Sequence, residues 1–65
     1  MEMKFKFMND KEYLREMFNR TNVKFKDLKV DSEGNETMLN VSRNDENIYF
    51  VFDRHGQLKD IFVDN

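Results

Sequence analysis

Apolar and polar positions along the chain change period twice. In residues 1–8, Met1, Met3, Phe5 and Phe7 fall on one face and Glu2, Lys4 and Lys6 on the other, the alternation of a half-buried strand. The spacing then lengthens. Tyr13, Leu14, Met17 and Phe18 form an apolar stripe of helical period, with Lys11, Glu12, Arg15, Glu16 and Asn19 turned to water. Asn9 is a capping residue with Glu12 three positions on, and Met8 and Tyr13 stand where apolar residues staple a helix start. Arg20 suits the negative helix end, and Asn22 the left-handed residue that stops it. Together these signals predict one helix over residues 10–20.

Beyond the helix the period returns to two. Val23 and Phe25 share a parity and Leu28 and Val30 have the opposite one, which predicts a bulge or break near Lys26-Asp27. Ser32-Glu33-Gly34-Asn35 reads as a turn. Thr37, Leu39 and Val41 alternate with Met38, Asn40 and Ser42 as a strand, and Asn44-Asp45-Glu46-Asn47 is turn chemistry again. Ile48 to Phe52 is a strand apolar on both faces. Asp53-Arg54-His55-Gly56 is a hairpin loop, and Leu58 to Val63 closes the series. Short loops make consecutive strands antiparallel neighbours. The expected fold is α+β: a single compact domain over 1–65, one helix packed on a curved antiparallel sheet, in the order β-α-β-β-β-β.

One helix covers one face of such a sheet. The alternation assigns Phe5, Phe7, Leu39, Val41, Phe50 and Phe52 to that face, against Leu14, Met17 and Phe18. Met38, Tyr49, Val51 and Phe62 are left on the other, where an exposed antiparallel sheet ordinarily turns polar. Exposed apolar patches on small proteins mark binding surfaces, and Tyr, Phe and Met are enriched in interface cores. The expected protein interface is therefore Met38, Tyr49, Val51 and Phe62, rimmed by Glu36 and Asp60.

Length gives this surplus its weight. A chain of 65 residues has a small core, and small domains are commonly supported by disulfides, a metal or a partner chain. There is no Cys and a single His, so association is the support that remains. Lys4 and Lys6 defend a strand edge, or that strand pairs with its copy; a homodimer is the expected oligomer. Phe, Leu, Ile and Val make up 18 of the 65 residues and the net charge is only −2, so the chain has the composition of a folded protein. No apolar run is long enough to span a membrane, and the alternating start is unlike a signal-peptide core. With zero Cys, this predicts a cytoplasmic protein.

Charge is unevenly spread. Residues 1–30 carry eight basic and five acidic groups, whereas residues 31–65 carry three basic and eight acidic ones. Lys4, Lys6, Lys24, Lys26 and Lys29 form a basic stripe if the first two strands adjoin, which raises nucleic-acid binding as an alternative. Yet Asn47 to Phe52 lacks the glycines and leading basic residue of the RNA-recognition signature, and the sequence pI is about 5.3. A third reading is oligomeric sequestration of a small anionic ligand. Lys4, Lys6, Arg20, Lys24, Phe25 and Lys26 are the contacts for these alternatives.

Catalytic chemistry finds little to stand on. His55 lies at a hairpin tip with no Ser spaced to pair with it, and Gly34 and Gly56 each belong to a turn, not to a phosphate loop. Asp31, Glu33 and Asn35 copy the oxygen spacing of a calcium loop, but the Gly is misplaced and the closing Glu is missing. No cofactor or metal is expected. The sequence reads as a non-enzymatic protein-binding module, an inhibitor or adaptor of bacterial or phage type that blocks a larger protein by occupancy.

Overall fold

The computed structural model describes residues 9–64. It contains one helix, α1 (Asp10–Arg20), followed by four strands, β1 (Lys26–Lys29), β2 (Thr37–Arg43), β3 (Glu46–Phe52) and β4 (Leu58–Asp64). The strands form one antiparallel sheet in the order β1-β2-β3-β4. The architecture is α+β, as expected. Among the described residues the order is α-β-β-β-β, with the helix first, instead of β-α-β-β-β-β. The expected first strand, with Met1 to Met8, lies outside the described residues.

The helix starts and stops where its signals stand. Asn9 Oδ1 accepts the N–H of Glu12 at 2.8 Å, satisfying one of the donors a helix start leaves unpaired. At the other end Thr21 caps and Asn22 takes φ 61°, the left-handed conformation that Asn tolerates. The helix start is also tied to the loop between β3 and β4. Lys11 N–H donates to the Gly56 carbonyl (2.9 Å), Asn9 Nδ2 to the His55 carbonyl (2.9 Å), and the Asp10 carboxylate accepts Leu58 N–H (2.8 Å). Gly56 has φ 81°, and a Cβ there would overlap the Asn9 side-chain amide. Glycine is needed on both counts.

Register divides the sheet into two faces. Asp27, Leu39, Phe50 and Ile61 lie directly opposite one another, as do Val41, Ile48 and Val63. This is the helix side, because Phe18 packs against both Phe25 and Phe50 with ring centroids 5.7 Å apart. Leu39 and Phe52 are fully buried there and Val41 is nearly so. The other face carries Leu28, Met38, Val51 and Asp60 in one row and Lys26, Asn40, Tyr49 and Phe62 in the next.

Two expectations need correction. The bulge predicted near Lys26-Asp27 is absent, since β1 pairs with β2 in unbroken register. Leu28 simply belongs to the far face, and Asp27 takes the helix-side position between Lys11 Nζ (3.1 Å) and Arg15 (4.0 Å). The irregularity falls instead in β4, where Val51 faces Asp60 but Phe52 faces Leu58, leaving Lys59 as the extra residue. Finally, the turn predicted over 44–47 is tighter: Arg43 pairs with Glu46, and Asn44 and Asp45 both have positive φ. Two such residues give the twist that a two-residue hairpin requires.

Candidate protein-binding face

The sheet brings Met38, Tyr49, Val51 and Phe62 together on the face opposite the helix. Met38 lies directly across from Val51 on neighbouring strands, and Tyr49 directly across from Phe62. The Tyr49 and Phe62 rings stack with centroids 5.0 Å apart, which restricts both side chains. Met38, Tyr49 and Val51 are half-buried and Phe62 is 44% exposed. Leu28, beside Met38 on β1, extends the patch; its parity opposite to Phe25 was the available signal. Asn40, between Lys26 and Tyr49, is buried on this same face, and its amide donates to Asn47 Oδ1 and the Ile48 carbonyl at 3.4 Å.

The rim is charged, but its groups are not equivalent. The Glu36 carboxylate is engaged by Lys59 Nζ. That hydrogen bond, with the Glu36 charge, raises the Lys59 ammonium above its ordinary 10.5, and Asp53 and Asp60 add to the effect. Its contribution to folding is therefore present at neutral pH and is lost as pH rises through the raised value. The Lys59 bulge brings this ammonium to the residue just before β2, so the Glu36 charge is compensated within the chain. Asp60 and, on the other side of Phe62 along the far face, Asp64 stand on β4. Lys26 stands on β1 at the opposite edge, so the patch runs from a basic margin to an acidic one.

The alternative contacts are dispersed. Lys4 and Lys6 lie outside the described residues. Arg20 Nε pairs with Glu16 at 3.0 Å, one helical turn back, and the Phe25 ring is turned to Phe18. Lys24, Phe25 and Lys26 border a shallow hollow with Asn40 and Ser42, and Lys24 borders a second with Phe18 and Asn22. Lys29 is opposite Thr37, on the helix side, so β1 does not present Lys26 and Lys29 on one face.

The residues tested for chemistry serve the loops. Asp53 Oδ1 accepts the N–H groups of His55 (2.8 Å) and Gln57 (3.0 Å), so His55 builds the hairpin through its backbone. The Gln57 bond, then that from His55 and the nearby positive charges, hold the Asp53 carboxyl below its ordinary 3.8 despite some desolvation. Asp31 Oδ1 accepts Asn35 N–H and Glu33 accepts the Asn35 amide, each at 3.0 Å, closing the polar turn on itself. Among the described residues no group of three His, Cys, Asp or Glu is placed to hold a metal, and no helix is long and apolar enough to cross a membrane.

This defines a small α+β protein with a one-sided helix and an apolar patch on the opposite sheet face. No protein-family model, curated protein or solved structure matches the chain.

Proposed function

We propose that the chain is a small non-enzymatic protein-binding module of the cytoplasm. It acts as an inhibitor or adaptor of bacterial or phage type, occupying a larger protein with the face of its curved sheet that lies opposite the helix. One observation carries this reading: Met38, Tyr49, Val51 and Phe62 adjoin on that face, and no element among the described residues packs over it. Tyr49 and Phe62, already stacked, are the anchors, because a pre-ordered aromatic pair loses little freedom on binding. Asp60 and Asp64 favour a partner whose apolar surface is bordered by basic groups, and they tune association rate and selectivity more than affinity.

The double variant Tyr49→Ser, Val51→Thr tests it. The chain is expected to stay folded by circular dichroism while its target, captured by the native chain as one stoichiometric protein, binds at least about tenfold more weakly. Loss of fold in the variant would place these residues in the core and end the proposal. Co-purifying ultraviolet absorbance would favour nucleic acid, and a small anion released on denaturation would favour sequestration. Either result with no protein captured replaces the reading.

A further inference from the structure

Positive charge collects at one corner of a chain whose net charge is −2. A hollow of about 440 Å³ lies between the chain leaving α1 and the end of β2, bordered by Thr21, Asn22, Lys24, Ser42 and Arg43. The hollow beside Lys26 and Asn40 shares Lys24 and Ser42 with it, and no Asp or Glu borders either one. Lys11, Arg15, Arg20 and Lys59 each have a carboxylate partner. Among the described residues Lys24, Lys26 and Arg43 have none. Glu46 stands opposite Arg43 across the hairpin, yet the two form no ion pair. The backbone adds a donor. Val30 N–H donates to the Glu36 carbonyl at 3.0 Å, so the even-numbered residues of β2 turn their backbone groups towards β1. Asn40, opposite Lys26, is the last of them that β1 reaches. Ser42 comes next, where β1 has not yet begun, and its N–H faces the hollow with no strand partner. The negative end of α1 is closed off nearby. Thr21 N–H and hydroxyl both donate to the Met17 carbonyl, and Val23 N–H to that of Phe18.

We propose that this corner binds one small oxyanion of the phosphate class, inorganic phosphate or a phosphate monoester. Arg43 supplies a planar fork that matches two phosphate oxygens, and Lys24 a mobile point charge. Ser42 adds its N–H and its hydroxyl. The Lys24 ammonium, the Arg43 guanidinium and the Ser42 N–H are donors only, so they suit a ligand that is all acceptor. Their two charges balance a dianion, and Lys26 strengthens the local field from the adjoining hollow. The layout favours a single phosphate over a nucleic-acid backbone. Lys29 lies on the helix side of β1, so the lysines form no track along the strand. The Phe25 ring packs on Phe18 instead of standing free for a base. Tyr49 and Phe62 border neither hollow, so this site goes beyond the protein-binding reading and does not rest on it.

Titration of the full chain with sodium phosphate at constant ionic strength, followed by amide NMR, tests the site. The Ser42 amide signal is expected to move along a saturating curve, with a dissociation constant in the millimolar range or tighter. Sodium chloride at the same ionic strength should leave it in place. Lys24→Gln and Arg43→Gln should each weaken phosphate binding at least about tenfold. Lys29→Gln removes the same charge at the other end of β1 and should weaken it less than about twofold. Circular dichroism checks the fold of each variant. Should Arg43→Gln unfold, Lys24→Gln, in the exposed connector before β1, decides alone. Equal weakening by Lys24→Gln and Lys29→Gln, or a Ser42 shift that grows without saturating, would overturn the proposal by reducing the site to diffuse charge. A short single-stranded DNA that binds at least about tenfold more tightly than phosphate and also moves the Lys29 signal would overturn it in favour of nucleic acid. Tyr49→Ser, Val51→Thr should bind phosphate as the native chain does, which keeps this test separate from that of the far face.

Discussion

The two faces of the sheet are made of similar residues and differ in what lies over them. Phe50 and Tyr49 are neighbours in β3, both aromatic, pointing in opposite directions. Phe50 meets Phe18 from the helix, whereas Tyr49 stacks on Phe62 from its own sheet. Leu39 and Phe52 are completely buried on the first face, while Phe62 is 44% exposed on the second. Apolar character alone therefore does not mark the core here. A core position needs a covering element, and one helix of eleven residues supplies cover for a single face. Apolar residues on the other face have no such covering element among the described residues, and the proposed binding role rests on that difference.

The largest effect that tests this contrast is expected at Phe52. Phe52→Ala removes a fully buried ring from the covered face and should cost about 3–5 kcal/mol in denaturant unfolding. Phe62→Ala, on the open face, should cost about 1 kcal/mol, mainly its stacking with Tyr49. Equal losses at the two positions would erase the distinction between the faces.

A smaller but more local effect belongs to the glycines. Gly56→Ala places a left-handed residue under strain and drives a methyl into the Asn9 amide, so the cap and the helix anchorage are disturbed together. The expected loss is about 2–4 kcal/mol, with faster amide exchange through the first helical turn. Gly34 has a similar φ, 74°, but open space around it, so Gly34→Ala should cost only about 1 kcal/mol. The difference between the two measures how much the loop contributes to holding cover over the first face.

The smallest effect is a pH dependence of the same anchorage. Asp53 is held below its ordinary value by the N–H groups of Gln57 and His55, so folding favours its charged form. Its contribution is complete above pH 3.8 and is lost as pH falls through the depressed value. Amide exchange at Gln57 and Lys11 should quicken over that interval before the sheet core opens, and Asp53→Asn should flatten the response. The far face, anchored by ring stacking, should show no such step.

Much of this partition was legible in the sequence. Period-two alternation separated Leu39, Val41, Phe50 and Phe52 from Met38, Tyr49 and Val51, and capping chemistry located both ends of the helix. Pairings made at a distance were not legible. Asp27 occupies a helix-side position because Lys11 and Arg15 arrive above it, and nothing in β1 announces those partners. The parity change at Leu28 looked like a bulge because Val23, Phe25, Leu28 and Val30 were all assigned to one face. The true bulge at Lys59 is invisible to hydropathy, since the extra residue is one charge among others. Glu36 stood in the expected rim, but its pairing with Lys59 depends on that same bulge.

The bond from Asn9 to His55 spans 46 residues of sequence, whereas the hairpins β1-β2, β2-β3 and β3-β4 join neighbours. Closing a loop of that length costs about 3.4 kcal/mol of chain entropy beyond a constant, by the logarithmic law for flexible chains. The meander can form by successive local steps, but the helix start can be locked only after both ends of that loop have been positioned. Folding should therefore run from the tight Asn44-Asp45 hairpin outward, with the Asn9–Gly56 contact absent from the transition state. Changes at Gly56 would then leave the folding rate nearly unaltered and speed unfolding.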